Sequence, residues 1–579
     1  MSRTVWRLAE GDRRAENELT AALGVGPLIA RLLVNRGYAT VAAARSFLST
    51  DLSGLPEPTD MQGMERAADR VMAAIASGER IVIYGDYDVD GVTATTVMVR
   101  FLAAVGANVD YALPEREKDG YGLKPAAIAR LADIGTKLLI TVDNGVSAHE
   151  AVEAANAAGI DVVVTDHHQM PQTPVAAYAV VNPRLDSPLA PTASLAGVGV
   201  AFELARAIRS KLLKGGAPKE GLPHLGALLD CVAVGSIADC VPLVGVNRTL
   251  VTNGLKQLAR TRWTGLTALM AAAGVAPDRV EPGDIAFGIA PRINAAGRMG
   301  SAAAALGLML ADDPHTAARL ARELEEANRR RRELQEKIYA EAMGMIDPEQ
   351  VARDRAVVAA GYGWKTGVVG IVAAKTTEKF GTPSALVAFD GDGPGRGSVR
   401  SVPGFNAGEA LAAASAHLMT HGGHPAAAGF TVAPESYEAF RGMFIDAART
   451  ALADVDTRPE TVIDAVVDPA AFDVAFIEEL AATMGPFGEG NRTPVFLAEK
   501  APIQRIVRMG KEKNHARLSI YGVKAEVVAF GFADEFEAAG GEGSFDLVFT
   551  PTLNHFNGVT RPQLRLIDMS PHAAQARPG

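Results

Sequence analysis

Seven residues in three short clusters have the types and spacing of a metal centre. Asp86, Asp88 and Asp90 lie in IVIYGDYDVDG (81–91), Asp143 closes LLITVD (138–143), and Asp166, His167 and His168 close DVVVTDHH (161–168). Each cluster follows a run of apolar and β-branched residues, the pattern of a buried strand. In an open parallel sheet, ligands bind beyond the carboxyl ends of the strands, so groups spread from position 86 to 168 would converge on one rim. Crowded carboxylates repel one another unless protons or cations lie between them. A divalent metal is the simplest occupant. Imidazole beside carboxylates suits Mn²⁺, Zn²⁺ or Fe²⁺, whereas Mg²⁺ prefers oxygen and water. Asp88, Asp90, Asp143 and His167 suffice for two ions sharing a carboxylate. Two ions ~3.5–4 Å apart activate water and clamp an in-line displacement at phosphorus, which implies phosphoester or phosphoanhydride hydrolysis. The Asp86-x-Asp88-x-Asp90-Gly91 spacing also opens a calcium-binding EF-hand loop, but Val97 stands where that loop needs Glu, and a strand precedes it instead of a helix.

The elements that must position these residues alternate. Helical segments at 65–79, 93–106 and 148–159 interleave with strands at 81–84, 109–114, 138–143 and 161–166. That rhythm predicts βαβ units and an α/β fold with a parallel sheet. LLITV and DVVVT are apolar on both faces, as a sheet covered on both sides requires. A long helix is expected over 314–346. Its charges are mixed and its apolar periodicity is weak, so it reads as a spacer. Its four arginines, 329–332, are either a solvated face or a basic wall facing a polyanion. A second α/β segment runs from 356 to 455. Beyond 461, five short strands with a strong hairpin signal at Asn557-Gly558 suggest a small oligonucleotide-binding barrel. The expected division is a helical N-terminal cap (1–60), a catalytic domain (61–313), a spacer helix (314–348), a second α/β domain (349–455) and the barrel (456–574).

The 579 residues carry a formal charge of −10, which argues against a protein that coats nucleic acid and leaves room only for a narrow basic track. Segments 329–332 and 505–517 are its candidates. Cys231 and Cys240 are the only cysteines, too few for a disulfide scaffold or a zinc site, and consistent with a reducing cytoplasm. The start, MSRTVWRLAEGDRR, has no apolar stretch of signal-peptide length. The longest apolar stretch, 299–311, is rich in Ala and Gly and reads as a buried helix, so no membrane partner is expected.

Other residues are of a type that contacts phosphate. PRINAAGRM (291–299) carries Arg292, Asn294 and Arg298, and an arginine fork grips phosphate oxygens or makes a surface ion pair. In GRGSVRS (395–401), glycines let backbone N–H groups approach an anion, and Ser398 and Arg400 add donors. His424 stands on a glycine-rich turn, where it would meet the phosphate or terminal nucleotide. With His417 and His421 it has zinc-helix spacing, but Gly422-Gly423 would break such a helix. In the barrel, Arg505, Arg508, Lys511, Lys513, His515 and Arg517 form a basic stretch, with Tyr521 and Phe556 as stacking platforms or, for Tyr521, a core residue.

YGDYDVDGVT (84–93), TVDNGVSA (141–148), VVTDHH (163–168) and SIADCVPL (236–243) resemble the successive motifs of the DHH phosphoesterase family, most closely its single-strand-specific exonucleases. GVVGIVAAK (367–375), GRGSVRS and GGHPAAAGF (422–430) resemble the associated DHHA1 domain, and MGPFGEGNRTPVF (484–496) the start of that branch's oligonucleotide-binding (OB) barrel. The resemblance implies two Mn²⁺ or Mg²⁺ ions. Asp90, Asp143, His167 and Asp239 would hold one, and Asp88 with the bridging Asp143 the other. His168 would support the site or contact phosphate, and Asp86 would be an outer ligand or a turn residue. Asp239 is promoted by the resemblance alone. The family's pyrophosphatases carry a histidine where this chain has Tyr84, which would leave the second ion weaker or dependent on substrate. The implied activity is 5′→3′ hydrolysis of single-stranded DNA to 5′-mononucleotides in recombination and repair. The implied setting is a cytoplasmic monomer working with a single-strand-binding protein and a helicase. The rival readings are a relative acting on short oligonucleotides, cyclic dinucleotides or pyrophosphate, and a non-catalytic scaffold of a DNA-processing complex.

Overall fold

Strands Ile81–Tyr84, Leu138–Val142 and Asp161–Thr165 lie side by side and parallel, with Tyr84 opposite Thr141 and Val142 opposite Thr165. This register brings their carboxyl ends level. In the computed structural model, which describes residues 3–114, 120, 122–540 and 543–572, Val109–Ala112 and Ala179–Val181 flank them to complete a five-stranded sheet. The chain runs outward from Ile81–Tyr84 to Val109–Ala112, then returns to the other side for Leu138–Val142. That reversal opens a crevice at the strand ends. Alternation along each strand feeds two cores. Ile81, Ile83, Leu138, Ile140 and Val163 pack under helices Met64–Ala76, Val89–Ala104, Gly197–Lys214 and Leu229–Ala238. Val82, Tyr84, Leu139, Val162 and Val164 pack under Pro125–Asp133 and His149–Ala157. The sheet is α/β and covered on both faces, as expected.

The chain divides into two units, Met1–Leu324 with Thr461–Gly579, and Glu325–Glu460. In the second, strands Thr420–Gly423, Ala427–Val432, Gly395–Arg400, Ser384–Phe389 and Val357–Tyr362 form one mixed sheet, with helix Thr366–Phe380 against its central strands. The helix Pro314–Met345 runs from the first unit into the second. Its weak periodicity has a cause. Ala317, Leu320, Ala321 and Leu324 form one short stripe in the first unit's core, and Ile338 and Ala342 another in the second's. The arginines between them do not form a basic wall. Arg329 and Arg330 pair with Glu326, Arg329 also with Glu333, and Arg332 with Glu325. These are exposed pairs within one helix.

The C-terminal strands Phe496–Met509, His515–Ile520, Glu526–Ala529, Val559–Pro571 and Ser544–Phe556 pair in that order, and the last pairs with the first, closing the barrel. Asn557 and Gly558 both have positive φ, as a tight two-residue hairpin requires. The helices Arg13–Leu23, Pro27–Asn35 and Val41–Leu48 are more than a cap. Leu19, Ile29, Leu32, Leu33 and Phe47 share one hydrophobic core with barrel residues Phe496, Phe536, Phe545 and Phe549. An ion pair on the buried Asp464 fastens the join. Arg492 grips Asp464 through both terminal nitrogens at 2.8 and 2.6 Å, and Asn35 donates to the same carboxylate. Among the described residues, segment 219–238, not 299–311, is the stretch apolar and long enough to cross a membrane. It is 61% buried and broken into three short helices, as a core segment is.

Leu32→Ala is expected to cost about 3 kcal/mol through lost burial and the cavity left behind. Amide exchange should speed up in Phe496–Met509 and Ser544–Phe556 as well as in Pro27–Asn35. Exchange confined to the helix would show that the N-terminal helices fold apart from the barrel.

Candidate metal centre

The loop after Ile81–Tyr84 turns directly into a helix. Asp88 caps that helix, its Oδ1 accepting from Gly91 N at 3.0 Å. Asp90, in the first turn, points back and caps another helix, accepting from Gly197 N (2.7 Å) and Val198 N (2.8 Å). The N-terminal end of Gly197–Lys214 thus supports the Asp90 charge. Gly197 must be glycine, because a Cβ there would lie 2.6 Å from Asp143 Cβ. Asp143 sits at φ 61°, a left-handed turn that aims its carboxylate across the rim. Asp86, Asp90, Asp143 and Asp166 are all buried. Asp239 arrives from elsewhere, at the C-terminal end of Leu229–Ala238.

His167 is the hub. Its Nε2 lies 3.1 Å from Asp143 Oδ1, 3.6 Å from Asp239 Oδ2 and 3.7 Å from Asp90 Oδ2. That nitrogen is buried and makes no hydrogen bond among the described residues. Three sets of side chains bring ligand atoms within 4.8 Å of one another: Asp90, His167 and Asp239; Asp143, His167 and His168; and Asp86, Asp88 and Asp143. Burial, then the neighbouring Asp239 and Asp88 charges, push the Asp90 carboxyl well up. Burial, then Asp90 and Asp88, do the same to Asp143. Asp239 is pushed up to about 7, by burial and then by Asp88. Such a cluster holds protons unless cations replace them. An orphaned imidazole nitrogen facing carboxylate oxygens is a donor set that fits a divalent first-row metal.

The two histidines are driven apart. Burial, and then the charge of His168, lower His167 to about 4, so it stays neutral with a lone pair to give. Burial also disfavours the charge on His168, but its hydrogen bond to Asp166 Oδ1 (2.7 Å) and the surrounding carboxylates outweigh that and raise its pKa. Burial pushes Asp166 up, and the His168 hydrogen bond with backbone N–H groups more than offsets it, leaving the carboxyl below its ordinary value. Asp166 therefore orients His168 and accepts from Val146 N, His167 N and His168 N.

Three family descriptions match in order: the DHH family N-terminal domain over 80–236, the DHHA1 domain over 353–450 and the RecJ OB domain over 463–568. The chain is 36% identical to the single-stranded-DNA-specific exonuclease RecJ of Bacillus subtilis (strain 168) over 571 residues, 98% of this chain and 71% of that protein. The chain belongs to the RecJ family. A crystal structure of RecJ from Thermus thermophilus in complex with Mn²⁺ superposes with a TM-score of 0.84 at 32% identity, covering 99% of this chain and 80% of that one. A second, in complex with Mg²⁺, gives a TM-score of 0.77 at the same identity, covering 99% and 79%.

Within this RecJ fold the other expected residues fall into two groups. The resemblance implies His168 as a support of the site or a phosphate contact and Asp86 as an outer ligand or a turn residue. Asp86 joins the Asp88–Asp143 set. Arg292 is buried, with Nη1 on Gly288 O (2.7 Å) and Nη2 on Ala272 O (3.2 Å), so its fork is directed at main-chain oxygens. Asn294 and Arg298 are half-buried on the same helix, which abuts the acidic loop where Gly297 meets Tyr87 O. In the second unit Arg400 Nη1 donates to Ser398 Oγ at 3.0 Å. Arg400 is half-buried and pairs with no carboxylate among the described residues. Its Cα partner across the sheet is Ala427, beside the exposed turn carrying His424. His417 ends a short 3-10 turn and His421 lies in a strand, so no zinc helix forms. The barrel arginines are less available than expected. Arg508 pairs with Asp534 and Glu537, and Arg517 with Glu526. Tyr521 is 61% exposed, which removes its core reading, and Phe556 is 71% exposed.

Sequence reasoning missed three supports. Asp166 was grouped with the ligands, although an Asp two residues before a His is a spacing that permits their hydrogen bond. Asn182 Nδ2 holds His168 O (3.0 Å) and Arg184 Nε holds His167 O (2.9 Å), and neither carries a local signal.

In metal-free protein, NMR titration of the imidazoles is expected to show His167 neutral down to about pH 4 and His168 titrating above its ordinary value. Asp166→Asn should lower the His168 value. Two histidines titrating together would contradict the separation.

Proposed function

We propose that this chain is a metal-dependent exonuclease that degrades single-stranded DNA from the 5′ end to 5′-mononucleotides. The observation that carries the reading is His167 Nε2 facing Asp90, Asp143 and Asp239, within a chain that matches RecJ along almost its whole length. Asp90, Asp143, His167 and Asp239 would hold one Mn²⁺ or Mg²⁺ ion, and Asp88, Asp86 and the shared Asp143 a second. When bound, the two ions supply an activated water and offset charge on the attacking and leaving oxygens.

The chain's own groups do the rest. His167 stays neutral and offers Nε2. His168 holds its proton to higher pH than an ordinary imidazole because Asp166 holds Nδ1, and its Nε2 would donate to a phosphate oxygen. We assign Asn294 and Arg298 to phosphate contact and Arg292 to holding their helix. Ser398, Arg400 and His424 serve the same end in the DHHA1 domain, where an arginine without a carboxylate partner and with a hydroxyl beside it suits an anion. In the barrel, Arg505, Lys511 and Lys513 with Tyr521 and Phe556 form the strand track. Arg508 and Arg517 exchange exposed carboxylate partners for phosphates, because surface ion pairs hold by ~1 kcal/mol or less. Residues 61–313 thus carry the chemistry, 349–455 the phosphate contacts and 456–574 the strand, with 314–348 joining them and 1–60 folded onto the barrel. We infer by resemblance a cytoplasmic monomer that meets a single-strand-binding protein and a helicase.

With Mn²⁺ and end-labelled substrates, single-stranded DNA should be consumed faster than duplex DNA, single-stranded RNA or a dinucleotide, and chelation or Asp143→Ala should abolish turnover. Faster turnover of the dinucleotide would favour a small-substrate enzyme, and no turnover with full metal binding a scaffold.

Raised carboxyl pKa values also set a pH dependence. Protons must leave before the ions bind, so Mn²⁺ affinity measured by calorimetry should rise with pH up to about 7, the Asp239 value, with proton release. Metal-free protein binds more protons at Asp239 folded than unfolded. Its melting temperature should therefore fall as pH rises from the ordinary value of 3.8 through about 7, and Mn²⁺ should remove the fall.

A further inference from the structure

Asp239 differs from the other ligands of the proposed site. It lies off the sheet, at the end of a helix, and its side chain is 27% exposed where those of Asp90 and Asp143 are at most 3%. The segment that follows starts at Cys240 with φ 56° and has little structure of its own. Asn247 of the same domain holds it from one side, its Nδ2 donating to Pro242 O at 3.0 Å, and the far end of the chain holds it from the other. Leu243 N donates to Glu489 O at 2.7 Å. Gly490, at φ 68°, lies so close that a Cβ would stand 2.9 Å from Pro242 Cβ and 3.2 Å from Pro242 Cα. A Cβ on Gly488 would stand 2.8 Å from Leu243 Cδ1.

The loop making these contacts is itself rigid. Buried Asn491 donates to Met484 O (2.7 Å) and Pro486 O (2.8 Å), and its backbone exchanges hydrogen bonds with Gly488. Arg36 of the N-terminal region donates to Asn491 Oδ1 (3.2 Å) and Arg492 O (2.7 Å). Arg248, buried over the Phe47 ring, donates to Thr483 O at 2.9 Å. The loop is thus held by Arg36 of the N-terminal region, and the segment before it by Arg248 of the catalytic domain, while it presses on residues 242 and 243.

We propose that the loop 484–492 is a positioning element for the divalent-cation site, holding the 240–244 segment so that Asp239 reaches His167 and Asp90. The proposal rests on Asp239 being a ligand, as read above. It makes ion occupancy at the catalytic sheet depend on the integrity of the barrel and the N-terminal helices. Groups that orient a ligand typically change metal affinity by about 10–100-fold when altered.

The test titrates Mn²⁺ into full-length, metal-free protein and follows free ion by electron paramagnetic resonance. Gly490→Ala is expected to weaken one of the two ions about tenfold and to spare the other. Excess Mn²⁺ should restore its turnover, which would not happen if the change merely unfolded the protein. Gly522→Ala, at φ 76° with nothing within 4 Å, controls for backbone strain alone and should bind both ions as the natural chain does. Should circular dichroism show Gly490→Ala unfolded, Gly488→Ala, which meets the Leu243 side chain and no backbone among the described residues, should give a smaller loss at the same ion. Unchanged affinity for both ions in a folded glycine variant overturns the proposal. Asp239→Ala separates the two levels: unchanged affinity there overturns the ligand reading itself, whereas loss of one ion there with none in the glycine variants overturns only the positioning role.

Discussion

Like charges held together out of water are the constraint on which this structure turns. Asp86, Asp90, Asp143 and Asp166 are buried at one rim of a sheet, with Asp88 and Asp239 beside them. Left alone, such a group would protonate or push apart. The fold answers each charge differently. Asp90 receives two N–H groups from a helix start. Asp166 receives three backbone N–H groups and the His168 imidazole. Asp143 and Asp239 face His167, which offers them a nitrogen instead of a proton. The residual charge is what a pair of divalent ions would neutralise.

This division explains why two adjacent histidines differ. Both are partly removed from water, and burial alone would make both neutral. Asp166 reverses the outcome for His168 and not for His167, because its Oδ1 meets His168 Nδ1 while the His167 ring turns towards the other acids. One motif therefore yields one imidazole lowered to about 4 and one raised above its ordinary value, the separation on which the two proposed roles rest.

The basic residues show the opposite arrangement. Arginines 329–332 and Arg508 look like a polyanion track when counted along the chain. In the fold Arg329, Arg330 and Arg332 meet glutamates one or two helical turns away, Arg331 bonds Asn328 and Gln335, and Arg508 meets acids of the short helix Ala533–Ala538. Arg400 in the second unit is the exception, half-buried with a serine and a carbonyl for company. Charge that remains uncommitted after folding is a better guide to an anion site than charge density in the sequence.

The α/β alternation, the barrel strands and the metal-type residues at the strand ends were legible because they are local. A strand of period two followed by an acid needs only its own neighbours to be recognised, and the parallel register does the rest. Asp239 was legible only through resemblance, since a helix end carries no sheet signal. The role of Asp166, the inward fork of Arg292, the shared core of the N-terminal helices and barrel, and the loop 484–492 against residues 242 and 243 were not legible. Each is a contact between residues remote in sequence or a choice between hydrogen-bond partners. The sequence by itself thus determined which chemistry the chain carries and on which elements. Only the tertiary structure decided which carboxylates keep their charge, which histidine keeps its proton and what steadies Asp239, because burial and partner geometry exist only once distant segments have met.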